Sequence, residues 1–174
     1  NPEKKKLFAN AAFHGFDMWE TYSKIHNLPF KKDGVIEVSF DEKGTKVLEK
    51  YLKWGLENGL EENDIELLNK EQLNKIEPNI KCESAIYCYR DGSADYSSFT
   101  KALMEDSKVK GTNFILNTKV TNISKKDGKW KIILDDEYEI NADFLINAAG
   151  GEAMDIAHQA GIANDLTDVH FRGE

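Results

Sequence analysis

Apolar residues recur at every third or fourth position in several stretches of the chain, which is the spacing of a helix with one buried face. This spacing predicts a first helix over residues 3–27. The helix is expected to end there because the Asn-Leu-Pro sequence at residues 27–29 cannot continue it. Asn69 followed by Gln72 is a capping-box pattern, which predicts a short helix that ends before Pro78. Further helices are predicted over residues 42–58, 95–108 and 152–161.

Alternating apolar and polar residues, or short β-branched and aromatic runs, predict the strands. Lys126-Asp127-Gly128 is a hairpin turn signal, and a third strand after it predicts an antiparallel meander. The apolar run Phe144–Ala148 predicts a strand that leads directly into the last helix. The order of predicted helices and strands differs between the first and second halves of the chain, which predicts two structural neighbourhoods that meet near residues 91–95. The predicted strands cover residues 35–40, 84–90, 114–116, 120–124, 130–134, 138–140 and 144–148.

The composition is that of a folded protein with an acidic surface. The 174 residues are enough for one domain or for parts of two, and a hydrophobic content of 40% excludes wholesale disorder. A net charge of -8 argues against nucleic acid or an anionic membrane as partner. The first residue is Asn1, so we expect the true N-terminus to lie upstream. Cys82 and Cys88 would lie about 20 Å apart on one strand, so we expect free thiols and a cytosolic location.

The small-residue turn Ala148-Ala149-Gly150-Gly151 is the first candidate for chemistry. Small residues between a strand and a helix let a ligand approach the backbone, and the helix N-terminus attracts a phosphate or a flavin edge. A tight connection without any ligand is the alternative, which the residues alone favour, and Glu152 would repel a phosphate placed beside it. The sequence contains no Gly-x-Gly-x-x-Gly fingerprint and no P-loop, so this chain alone is not expected to build a dinucleotide site.

His170 and Arg172 are the second candidate, because two residues apart they share one side of an extended segment. Such a pair binds a carboxylate or a phosphate, although an exposed basic edge explains it equally well. The other histidines are scattered, and no nucleophile set or metal-ligand spacing stands out. Asp95 is expected to cap the helix that follows it rather than to act in chemistry.

Four segments in this order and spacing resemble the FAD-dependent D-amino-acid oxidase superfamily: residues 91–103, 118–123, 144–150 and 170–174. Within that superfamily the chain is most similar to the group of L-2-hydroxyglutarate oxidases and FAD-dependent glycerol-3-phosphate dehydrogenases. The resemblance covers nearly the whole chain and implies a mixed α+β and α/β fold. It implies a Rossmann-like FAD domain with a β-meander and a mixed-sheet substrate domain. Residues 1–91 would mainly be substrate domain with a leading helix, and residues 92–174 would be FAD domain, ending at the return to the substrate domain.

The resemblance also implies roles for individual residues. Val120 would contact the adenine of FAD through its backbone N–H and C=O, and Arg172 would lie near the substrate carboxylate. Gly151-Glu152 departs from the usual pair after Asn-Ala-Ala-Gly, which affects the exact flavin contact. The catalytic residues and the glycine-rich loop would precede Asn1. The flavin or pyrophosphate would be lined by Ala148, Ala149 and Gly150.

The function implied is hydride transfer from a substrate C–H to the flavin. The substrate would be L-2-hydroxyglutarate, which the Phe-Arg-Gly-Glu sequence at residues 171–174 favours slightly, or glycerol 3-phosphate. The segment alone would be inactive and would bind FAD weakly or not at all. We expect a small-molecule substrate, no nucleic acid, no transmembrane segment and a cytoplasmic parent enzyme, with peripheral membrane association as the alternative. A free-standing, non-catalytic α+β binding module is the competing hypothesis.

Overall fold

A computed structural model describes residues 2–169, which divide into two compact units between Thr112 and Asn113. The N-terminal unit contains four helices: α1 (Pro2–His26), α2 (Glu42–Glu57), α3 (Lys70–Ile76) and α4 (Tyr96–Val109). Its strands are β1 (Phe30–Lys31), β2 (Val35–Ser39), β3 (Ile65–Asn69), β4 (Ser84–Cys88) and β5 (Ser93–Ala94). The C-terminal unit contains β6 (Val120–Lys126), β7 (Lys129–Leu134), β8 (Tyr138–Ala142), a 3₁₀ turn (Gly150–Glu152) and α5 (Ala153–Gln159).

An antiparallel sheet in the order β2-β4-β3 forms the centre of the N-terminal unit. Neighbouring residues of β4 point to opposite faces, so Ala85 and Ile86 belong to two different buried clusters. Leu48 of α2 packs in the cluster of Ile86, and Leu73 of α3 packs in the cluster of Ala85. The sheet is therefore covered by a helix on each face.

The remaining elements of this unit are joined by aromatic side chains. β1 pairs with β5, with Phe30 opposite Ala94. Phe99 of α4 is buried, and its ring lies 5.2 Å from that of Trp19 on α1 and 6.4 Å from that of Phe30. These rings connect α1, α4 and the β1–β5 ribbon.

The C-terminal unit is a β6-β7-β8 meander closed by the segment that follows it. Alternate residues of the strands point inward, and they form a buried cluster of Ile123, Ile132 and Leu134. Two further residues pack against the same cluster: Leu145, from the segment that follows β8, and Ile156, from α5. The packing of α5 on the meander fixes the loop between them, which contains the small-residue turn.

The helices predicted from the sequence are present, with ends that differ by a few residues. Asn69 and Gln72 form the predicted capping box, and the side chain of Asp95 caps α4 by accepting from the Ser97 N–H. The turn between β6 and β7 is the predicted one, with both Asp127 and Gly128 in the left-handed region. The last predicted helix is shorter and begins with the 3₁₀ turn.

Two predicted strands are wrong. Residues 114–116 and 144–148 have no regular secondary structure. A strand requires a partner for its backbone, and neither segment pairs with another among residues 2–169. In the second segment Leu145 packs inward, whereas Phe144 and Ile146 are 89% and 88% exposed. The sequence patterns also did not predict β3 or the short β1–β5 ribbon.

Candidate functional site

The turn at residues 148–151 is exposed and is held by the side chain just before it. Asn147 Oδ1 accepts a hydrogen bond from the Ala149 N–H at 3.2 Å, and Asn147 Nδ2 donates to the carbonyl of Ala153 at 2.7 Å. Gly150 has a φ of +59°, a backbone conformation that L residues other than glycine rarely adopt. A Cβ built on Gly150 or Gly151 meets no atom within 4 Å. The turn therefore has a fixed backbone and open space in front of it, which suits a ligand that approaches the main chain.

Val120 is the first residue of β6, an edge strand of the meander. It is half-buried, lies opposite Leu134 and packs against the core of the C-terminal unit. The ladder shifts register between Val120 and Asn122, so Thr121 forms a bulge. The peptide groups on an edge strand point alternately away from the sheet, which allows a ligand to bond to the backbone there.

Hydrogen bonds outside the regular ladder surround Val120 on both sides. The Lys119 N–H donates to Asp135 Oδ1 at 2.9 Å, and the Asp135 N–H donates to the Lys119 carbonyl at 2.9 Å. Thr121 Oγ1 accepts from the Asp136 N–H at 3.2 Å. The corner between β7 and β8 thus fixes the residues on either side of Val120.

The structure brings four of the five predicted site residues into one unit. Val120 belongs to the meander, and the turn formed by Ala148, Ala149 and Gly150 is tied to that meander through Leu145 and α5. Arg172 lies outside the described residues. Sequence reasoning missed the roles of Asn147 and Asp135 in holding these backbones. Asn is a common turn residue and gave a weak signal, whereas Asp135 bonds to a residue sixteen positions away.

The N-terminal unit contains a separate polar cluster between α1 and α4. The Tyr22 hydroxyl donates to Asp106 Oδ2 at 2.8 Å, and His26 Nε2 lies 3.2 Å from the same oxygen. Desolvation of the phenol, together with its hydrogen bond to Asp106, raises the pKa of Tyr22 to about 12. This cluster includes no residue that the sequence predicted to bind a ligand.

The N-terminal unit also contains a second phenol with a raised pKa, and it contains an open groove. A hydrogen bond to Glu66, with desolvation as the smaller cause, raises the pKa of Tyr89 to about 12. A groove of about 880 Å³ is lined by Phe40, by residues of α3 and by the segment from Pro78 to Glu83. Among the described residues, no group of three or more His, Cys, Asp or Glu side chains could hold a metal ion.

Membership of a protein family is decided by comparison with known proteins. The family model described as FAD dependent oxidoreductase matches residues 1–174. The chain belongs to the FAD-dependent oxidoreductase family. This confirms the resemblance stated from the sequence and argues against a free-standing binding module that merely shares the element order.

Two curated relatives of this FAD-dependent oxidoreductase chain are named for glycerol 3-phosphate. A glycerol 3-phosphate dehydrogenase of Caloramator mitchellensis is 32% identical over 76% of the chain and 28% of the relative. A glycerol 3-phosphate oxidase of Mycoplasma pneumoniae is 31% identical over 100% of the chain and 47% of the relative. A mitochondrial L-2-hydroxyglutarate dehydrogenase of Nematostella vectensis is 23% identical over 97% of the chain and 39% of the relative. The chain therefore spans less than half the length of these relatives.

Solved structures confirm the fold class of the FAD-dependent oxidoreductase chain. The dithionite-reduced L-α-glycerophosphate oxidase of Mycoplasma pneumoniae, with FAD bound, matches with a TM-score of 0.80 and 27% identity. That match covers 92% of the chain and 43% of the oxidase chain. An L-proline dehydrogenase from P. horikoshii shares the fold with a TM-score of 0.76, at 21% identity. The mixed α/β fold is thus that of FAD-dependent oxidoreductases, of which the chain covers a part.

No helix in the described part of the chain is both long and apolar enough to cross a membrane.

Proposed function

We propose that this chain is a segment of an FAD-dependent enzyme that oxidises glycerol 3-phosphate. The observation that carries the proposal is the 31% identity to a glycerol 3-phosphate oxidase over the whole chain. L-2-hydroxyglutarate is the second candidate, because the relatives named for it also match nearly the whole chain, at 23–24% identity. The higher identity favours glycerol 3-phosphate, against the slight preference suggested by residues 171–174. When bound, FAD accepts the hydride that leaves the substrate carbon.

Val120 is assigned to the adenine, which its backbone N–H and C=O would bind at the edge of the meander. The fixed turn, with open space in front of Gly150, is assigned to the flavin or the pyrophosphate. Small residues at Ala148, Ala149 and Gly150 would let the cofactor approach the main chain. Arg172 is assigned to the anionic end of the substrate, because a guanidinium binds a carboxylate or a phosphate through two hydrogen bonds.

The remaining parts of the proposal concern the whole protein. Residues 1–91 would contribute mainly to the substrate domain and residues 92–174 to the FAD domain. The partner would be a small-molecule substrate rather than nucleic acid, consistent with the net charge of -8. The two free cysteines are consistent with a cytoplasmic location.

Turnover of both substrates by the full-length protein tests the assignment. The purified protein is loaded with FAD, and reduction of the flavin is followed after addition of glycerol 3-phosphate or L-2-hydroxyglutarate. We expect kcat/KM to be at least tenfold higher for glycerol 3-phosphate. The reverse preference would favour the second candidate, and reduction by neither substrate would contradict both.

The adenine contact is tested by a pair of substitutions at one position. Val120→Pro removes the backbone N–H, while Val120→Ala keeps it and shortens only the side chain. Proline is tolerated as the first residue of a strand, so both variants are expected to fold. We expect the Kd of the full-length protein for FAD to rise about tenfold for Val120→Pro, corresponding to about one hydrogen bond, and less than threefold for Val120→Ala. Equal affinities of the two variants would contradict the assignment.

A further inference from the structure

We propose that Asp135 is a positioning residue for FAD, which holds the Val120 backbone in the orientation that binds the adenine. The inference rests on the proposed function, since it presumes that Val120 contacts the cofactor. Asp135 itself would touch no part of FAD. It would act through the peptide group between Lys119 and Val120, and Thr121 would support it from the other side.

The geometry of one peptide group carries the proposal. The carbonyl of Lys119 and the N–H of Val120 belong to the same planar peptide, so fixing one fixes the direction of the other. The Asp135 N–H donates to that carbonyl at 2.9 Å. The Asp135 carboxylate accepts from the Lys119 N–H, also at 2.9 Å, and so holds the preceding peptide as well. Asp135 therefore fixes both the peptide group that carries the Val120 N–H and the peptide group before it.

The other side of Val120 is held by the same corner. The Thr121 hydroxyl accepts from the Asp136 N–H at 3.2 Å and donates to the Ile133 carbonyl at 3.4 Å. These bonds occur where β6 begins and where the bulge interrupts the ladder. Regular pairing is weakest at such a point, so the backbone there depends on side-chain bonds for its orientation.

The corner adopts a conformation that costs free energy. Asp135 and Asp136 have φ values of +49° and +61°, in the left-handed region that L residues other than Asn and Asp rarely occupy. The Glu137 N–H closes the turn on the Leu134 carbonyl at 3.0 Å. The neighbouring hairpin, between β6 and β7, has Asp127 and Gly128 at the same two left-handed positions, with φ values of +51° and +81°. An aspartate stands first in both turns, and in this corner the Asp135 carboxylate also bonds to the adjoining strand, through the Lys119 N–H.

Adjacent substitutions in the full-length protein separate positioning from turn formation. Asp135→Ala removes the acceptor. Asp136→Ala makes the same change at the neighbouring left-handed residue, whose side chain forms no hydrogen bond within the described part of the chain. Asp135→Asn keeps an acceptor oxygen, and Asp135→Gly removes the acceptor while relieving the strain. Binding of FAD and of ADP, which carries the adenine without the flavin, is measured by titration of the apoprotein. The melting temperature of each apoprotein is measured in parallel.

We expect Asp135→Ala and Asp135→Gly to raise the Kd for FAD and for ADP by a similar factor of about ten. Asp135→Asn and Asp136→Ala should stay within about threefold of the unaltered protein. At saturating FAD, kcat and KM should be unchanged for all four, because the adenine end takes no part in hydride transfer. The glycine variant keeps the test valid if the alanine variant fails to fold.

Different results would overturn different claims. If the unaltered protein binds FAD but Asp135→Gly binds it equally tightly, Asp135 has no positioning role. If Asp136→Ala loosens FAD as much as Asp135→Ala, the effect belongs to the turn and not to the carboxylate. If the unaltered full-length protein binds neither FAD nor ADP, the proposed function itself fails.

Discussion

The phenol of Tyr22 lies at the contact between α1 and α4 and is in its neutral form well above neutral pH. Its pKa is raised to about 12, whereas an unfolded chain ionises tyrosine near 10. The folded state therefore resists ionisation, and the stability that Tyr22 contributes is complete below pH 10 and is lost as the pH rises from 10 to 12.

This predicts a specific pH dependence. Between pH 9 and 12 the free energy of unfolding of the N-terminal unit should fall more steeply in the unaltered protein than in Tyr22→Phe, which has no phenol to ionise. Tyr96→Phe, which removes a phenol that is 84% exposed, is the control and should retain the steep fall. Urea unfolding followed by circular dichroism at each pH measures the difference. Parallel curves for Tyr22→Phe and the unaltered protein would contradict the prediction.

Residues whose bonds are local could be predicted from the sequence, and residues whose bonds are distant could not. Asp95 caps the helix that starts beside it, and Asn69 bonds within three positions, so both roles follow from short patterns. The Tyr22–Asp106 bond spans 84 positions, and only the fold brings the two side chains together. The same applies to the Asp135 carboxylate, which bonds to Lys119 across the meander.

At the scale of elements, α3 shows how much a cap can contribute. The helix has only seven residues, too few to be stable alone, and the reciprocal bonds of Asn69 and Gln72 satisfy two backbone N–H groups at its start. Its Leu73 is 1% exposed and belongs to the core, so a frayed start would loosen buried packing as well.

We therefore expect Asn69→Ala to lower the free energy of unfolding by about 1 kcal/mol. Asn69→Ser, which restores an acceptor at the cap, should recover most of the loss. Asn74→Ala removes the same amide from an exposed position within α3 and should change stability by less than about 0.5 kcal/mol. Chemical denaturation of the three variants makes the comparison, and equal losses for Asn69→Ala and Asn74→Ala would contradict a capping role.

The strands of the meander were predicted together with their pairing, whereas β2 and β4 were predicted as strands without their partners. β6 and β7 are joined by the two-residue turn at Asp127 and Gly128, so the pattern contained both strands and their connection. The apolar runs at 114–116 and 144–148 have strand-like composition, but composition does not supply a partner. β3 was missed because its Ile-Glu-Leu-Leu-Asn sequence is not distinctive for a strand, and only its pairing with β4 makes it one.

At the scale of the whole molecule, each of the two units has a buried core of its own among the described residues. Leu68 is 2% exposed in the N-terminal unit, and Ile132 is 7% exposed in the C-terminal unit. Trp130 packs against the cluster of Ile132, so a chain in which Trp19 and Trp54 are phenylalanine reports by fluorescence on the C-terminal unit alone.

In that background, Ile132→Ala should lower the stability reported by Trp130 by about 2–5 kcal/mol, because it leaves a cavity in the core. Leu68→Ala should lower the unfolding midpoint of the helical signal by circular dichroism, through a loss of similar size, and leave the Trp130 transition unchanged. The matched pair removes a comparable apolar volume from each core. A common shift of both transitions in both variants would contradict separate cores.

The family and the cofactor could be inferred from the order of four short segments, because those segments keep their spacing along the chain. The placement of Val120 and the turn in one unit could not, because it depends on the packing of Leu145 and α5 on the meander. Substrate preference is the least predictable property, since it depends on the few groups that surround the reacting carbon.

The segment at residues 144–148, in which Leu145 packs inward and its two neighbours are exposed, has a consequence for handling the isolated chain. Phe144 and Ile146 project almost fully into solvent, and no backbone ladder among the described residues protects either edge of the segment. Short, uncharged, β-prone segments with free edges recruit one another into intermolecular cross-β stacks. Self-association of the isolated chain should therefore start here, and replacing Ile146 with lysine should keep concentrated samples clear of precipitate.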